Sequence, residues 1–259
     1  MTDIALPAQI LEQICSLTKK GIQVVIVHGG GPFIKEALLK ASIESDFIDG
    51  HRVTTPEALK YVEMALKGQV NGSLVSLINS LGYNAVGLSG KDGKMVTAKK
   101  RWHHRQNNGI TESVDIGLVG DVESVDTTLL DILLQNDYIP VITCLANDKN
   151  GESYNINGDM FAGHIAGALQ VRDYVVLTDV DGLLKDISDP SSLIDILPLP
   201  EIKHLIDTGI IAGGMLPKVE SCTIALAKGA KTARILNGTK PEQVAALATD
   251  NPAGTSLIS

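Results

Sequence analysis

The stretch Val24–Pro32, VVIVHGGGP, constrains the fold more than any other. Val24, Val25, Ile26 and Val27 are β-branched in succession and read as a strand buried on both faces, the habit of a parallel sheet. Gly29, Gly30 and Gly31 follow, and a helix is expected from about Phe33. Without Cβ atoms, backbone N–H groups can crowd against an anion. The start of a helix adds partial positive charge at the same place. This is a strand, glycine loop and helix able to hold phosphate or carboxylate, although a plain tight turn would use the same glycines. The spacing matches neither G-x-x-x-x-G-K-[ST] nor G-x-G-x-x-G, which excludes an ordinary P-loop or dinucleotide fingerprint.

The rest of the chain alternates helices and strands. An amphipathic helix is expected over 7–20, closed by Gly21, and others over 33–41 and from Pro56 through Leu59, Val62, Leu66, Leu74, Leu77 and Leu81. Residues 84–88 read as a short strand, and the polar 94–123 as hairpins, a lid or a flap rather than core. A helix over 126–136 capped by Asp126 leads to a strand at Tyr138–Leu145, a small-residue helix at 159–169 and a buried strand at Val175–Thr178. Helices near 200–208 and 217–228, a strand at 232–236 and a helix at 241–249 follow. Such alternation means α/β, with a mostly parallel sheet and helices on both faces.

Composition narrows the function. With 44% apolar and 20% charged residues, 259 residues can bury a full core. A net charge of −8 argues against nucleic acid or an anionic membrane as partner. The run Lys99, Lys100, Arg101, His103, His104, Arg105 is a local exception, read as a solvated loop or hairpin. Cys15, Cys144 and Cys222 are far apart and lack a C-x-x-C, so reduced thiols and a cytoplasmic location are expected. No 18-residue apolar run and no secretion signal is present. There is no H-E-x-x-H, nucleophile elbow or Cys/His cluster to support a zinc site or hydrolase.

Ligands of parallel sheets gather at the carboxyl ends of the strands, and polar residues mark those ends. Asn155, Asn157 and Asp159 alternate, so in an extended segment they point one way. The other reading is an Asx-rich turn with Asp159 as helix cap. Lys218 stands at a helix start, a poor place for a structural cation, and more naturally faces an anion. Arg52 could clamp a carboxylate with its planar fork. His28 reads as a core-edge histidine rather than a base.

These residues carry a family resemblance. HGGGP at 28–32, DGHRVT at 49–54, GLSGKDG at 87–93, NINGD at 155–159, LTDVDGLL at 177–184 and GGMLPK at 213–218 occur in order. Over essentially its whole length the chain resembles the N-acetyl-L-glutamate kinases of the amino-acid kinase family. The resemblance implies a three-layer αβα sandwich with an open, mostly parallel central sheet. It implies an N-terminal lobe, 1–170, for acyl-amino-acid binding and dimerisation, and a C-terminal lobe, 171–259, for nucleotide. Gly30 and Gly31 would stabilise the transferring group, while Arg52 would clamp the α-carboxylate and Asn155 and Asn157 would hold the same substrate. Asp159 would position catalytic lysines and Lys218 would neutralise developing charge. Thr178, Asp179, Val180, Asp181, Gly182 and Leu183, with Ile210, Ile211 and Ala212, would bound the nucleotide. The implied reaction is phosphorylation of the γ-carboxylate of N-acetyl-L-glutamate by ATP, for arginine biosynthesis. Its Mg2+ would be held mainly by the phosphates and by no protein metal site. A homodimer or hexamer is implied, with neither nucleic acid nor membrane as partner.

The sequence departs from the family at its start, where a strand ending in K-x-G-G is expected and Met1-Thr2-Asp3 stands instead. One expectation is that Met1 is an internal methionine of a longer protein. The other is a genuine short form, impaired in catalysis or acting as a non-catalytic ligand-binding paralogue. Within the enzyme class, the alternative substrate is a carrier-linked or differently acylated glutamate or aminoadipate, with Lys99–Arg105 as a docking surface.

Overall fold

The computed structural model describes residues 5–44, 46–48, 51–107, 110–249 and 253–258. Met1-Thr2-Asp3 and the Asp49-Gly50 of DGHRVT lie outside them.

In chain order, α1 (Ala5–Ser16) runs through a 3-10 turn to Gly21, and β1 (Ile26–His28) leads to α2 (Gly31–Lys40). β2 (Phe47–Ile48) and β3 (His51–Arg52) form a small antiparallel ribbon. α3 (Pro56–Glu63) opens on Thr55, whose hydroxyl accepts from the Ala58 N–H at 3.1 Å, with Pro56 in the first turn. The expected long helix is interrupted by a π-helical segment, Met64–Asn71, before α4 (Gly72–Ser80). β4 (Ala85–Ser89), the long hairpin β5 (Val96–Asn107) and β6 (Ile110–Val125), α5 (Thr128–Gln135), β7 (Ile139–Thr143), β8 (Leu145–Asn147) and β9 (Ser153–Ile156) follow. Then come α6 (Gly158–Ala168), β10 (Asp173–Thr178), β11 (Ile196–Pro198), α7 (Ile202–Asp207), α8 (Met215–Ala227), β12 (Thr232–Asn237), α9 (Pro241–Ala245) and β13 (Thr255–Ile258).

The chain forms two compact units. One comprises Val25–Asn79 and Asn84–Phe161, the other the residues up to Val24, Ser80–Tyr83 and those from Ala162 onward. The change of unit falls within α6, ahead of residue 170. The opening helix belongs with the C-terminal residues because Ile10 is buried in one cluster with Leu236 and Val244. Burying side chains of this size contributes about 1.5–3 kcal/mol each, more than a short helix gains alone.

In the unit containing the glycine loop, β1, β7 and β4 make a parallel sheet in that order. β7 is central and buried at every position, the signature of a strand covered on both faces. β1 is shorter than the expected Val24–Val27 strand and half-buried throughout, because it lies at the sheet's edge. The polar 94–123 stretch is a hairpin as expected, but its base is core: Met95, Val96, Ala98, Ile116, Val119 and Val122 are all buried. With β8 and β9 the hairpin closes a small barrel. In the other unit, β10-β12-β13-β11 make a mixed sheet around a core that includes Val176, Leu183, Ile211, Val219, Ile235 and Leu257. Each unit thus has a sheet with parallel strands and flanking helices, the α/β arrangement that the resemblance implies.

Candidate functional site

A cavity of about 210 Å³ in the glycine-loop unit gathers much of what the sequence marked. Gly31, Arg52, Asn155 and Asn157 line it, together with Phe47, Arg101, Asp121 and Met160. Its lining mixes charged, amide and apolar side chains, as small-molecule sites do.

The glycine loop turns from β1 into α2. Gly30 is the N-cap of α2 with φ of 172°, ordinary extended backbone, and no side chain caps the helix. A Cβ on Gly30 would meet Leu66 Cδ2 at 2.8 Å, so the fold itself favours glycine there. Gly29 and Gly31 differ: neither has a left-handed φ, and a Cβ on either would enter open space. Nothing in the surrounding protein requires glycine at these two places, which is what a site reserved for a ligand would show. The start of α6 adjoins the loop, since a Cβ on Gly158 would lie 3.6 Å from Gly29 Cα.

Arg52 reaches the cavity from β3, its guanidinium 4.5 Å from the centroid of the Phe47 ring. Stacking fixes the plane of the fork. Burial pulls its pKa below the ordinary arginine value, as for a charge held partly out of water. The strand is pinned through Thr54, whose N–H donates to Ile116 O at 3.0 Å and whose O accepts from Leu118 N–H at 2.6 Å. Gly117 between them has φ of +76°, and a Cβ there would lie 2.2 Å from Thr54 O. Only glycine permits this bridge.

Asn155 and Asn157 both line the cavity, as does Ile156 between them. The alternation ends there: β9 stops at Ile156 and Asp159 already lies in the first turn of α6. Asn157, not Asp159, provides the Asx turn, its Oδ1 accepting from the N–H groups of Asp159 (2.9 Å) and Met160 (3.1 Å). Cys144, fully buried at the end of β7, has its thiol pushed up to about 12 by burial and is no nucleophile.

Arg101 lines the cavity with no sequence motif to mark it. It lies in a basic run whose members look alike in sequence, and nothing there marks it. The run is answered across the hairpin, Lys100 pairing with Asp115 at 2.8 Å and Arg101 with Asp121 at 2.7 Å.

In the other unit, Lys218 stands in the first turn of α8, its carbonyl accepting from the Ser221 hydroxyl at 2.7 Å. Thr178 ends β10, and the following loop is anchored by Asp181, which accepts from Lys240 Nζ (2.7 Å), Asn237 Nδ2 (2.8 Å) and Gln243 Nε2 (3.1 Å). The Lys240 ammonium, then the Asn237 amide, hold the Asp181 carboxyl below its usual pKa. With its oxygens so engaged, Asp181 shapes the loop. Leu183 and Ile211 are buried in the core, so any contact they make with a ligand runs through their backbone. Asp179 and Ala212 are exposed, and Thr178, Val180 and Ile210 partly so.

Among the described residues no cluster of three or more His, Cys, Asp and Glu could hold a metal ion, and no helix is long and apolar enough to cross a membrane.

The chain is similar over most of its length to known proteins. The acetylglutamate kinase of Methanococcus maripaludis is 42% identical over 250 residues, 96% of this chain and 85% of that protein. That of Methanocaldococcus jannaschii is 44% identical over 231 residues, 89% of this chain and 77% of that protein. Among solved structures, a protein from Streptococcus mutans superposes with a TM-score of 0.77 at 28% identity, covering 96% of this chain and 91% of its own. Giardia carbamate kinase, at 17% identity and a TM-score of 0.69 over 97% of this chain and 89% of its own, shares the fold. The sequence pattern of the amino acid kinase family matches residues 7–237, and the chain belongs to that family.

Proposed function

We propose that this chain transfers the γ-phosphoryl group of ATP to the γ-carboxylate of N-acetyl-L-glutamate, giving an acyl phosphate, as a step of arginine biosynthesis. The observation that carries the reading is the cavity joining Gly31, Arg52 and Asn155. It occurs in a chain 42–44% identical to acetylglutamate kinases. Arg52 takes the α-carboxylate and Asn155 and Asn157 fix the rest of the molecule. The amides at the start of α2 face the reacting end, where they stabilise negative charge. A carboxylate is already a nucleophile, so no general base is needed; catalysis is positioning and charge stabilisation. In the same reading Asp159 orients the catalytic lysines and Lys218 offsets charge on the transferred group.

The nucleotide belongs to the residues from Ala162 onward, at the carboxyl ends of parallel β10 and β12. The residues there fit such a group: Asp181 anchors the loop, leaving Thr178, Asp179 and Val180 at its surface. Mg2+ is carried mainly by the phosphates. The protein works in the cytoplasm, with three free, buried cysteines, as a homodimer or higher homo-oligomer.

Hydroxylamine trapping with MgATP tests this. N-acetyl-L-glutamate is expected to give hydroxamate and N-acetyl-L-aspartate none. Product from neither, or equal product from both, rejects the reading.

A further inference from the structure

Arg101 occupies an unusual place in the hairpin. Lys100 pairs with Gly120 and Trp102 with Asp115, so the segment Ile116–Val119 stands opposite Arg101 alone. Such bulges re-aim a side chain, and here Arg101 lines the cavity with about 30% of its side chain exposed. Nη1 donates to Asp121 Oδ1 at 2.7 Å, while Nε is buried with no acceptor among the described residues. That nitrogen has almost no accessible surface, so a ligand in the cavity meets this guanidinium at its Nη groups. The pair with Asp121 therefore does not complete the bonding of this guanidinium. The same bulge bridges to Thr54 and abuts Asn155 through Val119, so one irregularity of β6 places Arg52, Arg101 and Asn155 around one space.

We propose that Arg101 is a specificity and positioning residue that donates to the carbonyl oxygen of the substrate's N-acyl group. The inference rests on the N-acylglutamate reading above. Such a substrate carries two carboxylates and one amide oxygen. Arg52 answers the α-carboxylate and the glycine loop the γ-carboxylate, which leaves the amide oxygen for the remaining cation. Asp121 partly neutralises Arg101, which suits it to a neutral acceptor rather than a second full charge. The arrangement also rejects a free amino acid. Its ammonium would meet two guanidiniums, and the carboxylate of Asp121 is already held by Arg101.

Calorimetric titration of the full chain with N-acetyl-L-glutamate, glutarate and L-glutamate tests this. Arg101→Gln is expected to weaken N-acetyl-L-glutamate by about 10- to 100-fold, the worth of a charge-assisted hydrogen bond. Glutarate, which lacks the acyl amide, is expected to stay within about twofold. In turnover, KM rises more than kcat falls. The double variant R101Q/D121N removes both charges together, leaves no unpaired carboxylate and so guards against misfolding. It too is expected to lose N-acetyl-L-glutamate selectively. Unchanged affinity in either variant, or an equal loss for glutarate, overturns the proposal. A native chain that fails to bind N-acetyl-L-glutamate at all rejects the substrate assignment itself, and this inference with it.

Discussion

Asn71 Nδ2 lies 2.9 Å from His28 Nε2 and 2.9 Å from Val141 O. An amide NH2 only donates, so His28 Nε2 must accept. The proton then sits on Nδ1, which donates to Gly29 O at 2.9 Å. One neutral tautomer satisfies both contacts and ties the start of the glycine loop to the π-helical segment that ends at Asn71.

Protonating His28 would set two donors face to face. Burial, and further the Lys67 ammonium, hold His28 below its ordinary value of 6.5. The unfolded chain therefore takes up this proton at a higher pH than the folded one. Stability from this site is complete above about 6.5 and declines as pH falls towards the folded pKa. Asp181, held below 3.8, loses its contribution in a lower window. Urea midpoints at pH 7.5 and 5.5 are expected to differ more for the native chain than for His28→Gln; equal differences would rule out His28 as the source.

Gly87 makes room for the same amide, since a Cβ there would lie 2.2 Å from Asn71 Oδ1 and 3.1 Å from Val75 Cγ2. Asn71→Ala leaves the Val141 carbonyl and the His28 ring without their donor and is expected to cost about 2–4 kcal/mol. Gly87→Ala is expected to cost a similar amount by displacing Asn71. The double variant, with no amide to displace, should cost less than the sum. A denaturation cycle giving additive costs would show that the two positions do not share this space.

Arg52→Lys keeps the charge but loses the planar fork and its stacking on Phe47. KM for N-acetyl-L-glutamate is expected to rise by about 10- to 100-fold with kcat much less affected. Phe47 is 57% exposed, so Phe47→Ala should cost only about 0.5–1 kcal/mol of binding, as for exposed cation–π pairs. Steady-state kinetics on both variants decides; a larger loss for Phe47→Ala would shift the recognition from the guanidinium to the ring.

Much of this site was legible before the structure, for physical reasons. The glycine loop and the Asn155/Asn157 alternation stand out because glycine runs and strand alternation have local causes, whereas Arg52 is marked only by the family resemblance. Asp181 was legible in place but not in role, because its partners Asn237, Lys240 and Gln243 lie more than fifty residues along the chain. Asn71 was hidden in a helical pattern that gave no sign of a π-segment. Arg101 was hidden among like charges, and only a register shift in the ladder, a property of two strands together, sets it apart. The edge position of β1 is likewise a matter of which strands pair, which four β-branched residues do not reveal.

Asp181→Asn tests the nucleotide loop. The neutral side chain cannot pair with Lys240 as a carboxylate does, and its NH2 would face the donors of Asn237 or Gln243. KM for ATP is expected to rise several-fold while KM for N-acetyl-L-glutamate stays unchanged. A change confined to the amino-acid substrate would reject the assignment of Thr178–Leu183 to the nucleotide.

Gly31→Ala separates fold from function most directly. Gly31 opens α2, its φ is not left-handed, and a Cβ would touch nothing within 4 Å. Alanine in a helix is favoured over glycine by up to about 1 kcal/mol, so the variant should unfold at the same or a slightly higher urea concentration. Yet Gly31 lines the cavity, and the new methyl group would intrude where the reacting carboxylate must approach the helix amides. The N–H groups remain, but keeping the reacting group away from one such preorganised donor costs about 10²–10³ in kcat. The expected result is a fully folded protein with hydroxamate formation reduced on that scale. If activity persisted at the native level, the open space beside Gly31 would be no part of the reaction site, and the phosphoryl acceptor would have to be sought elsewhere in the cavity.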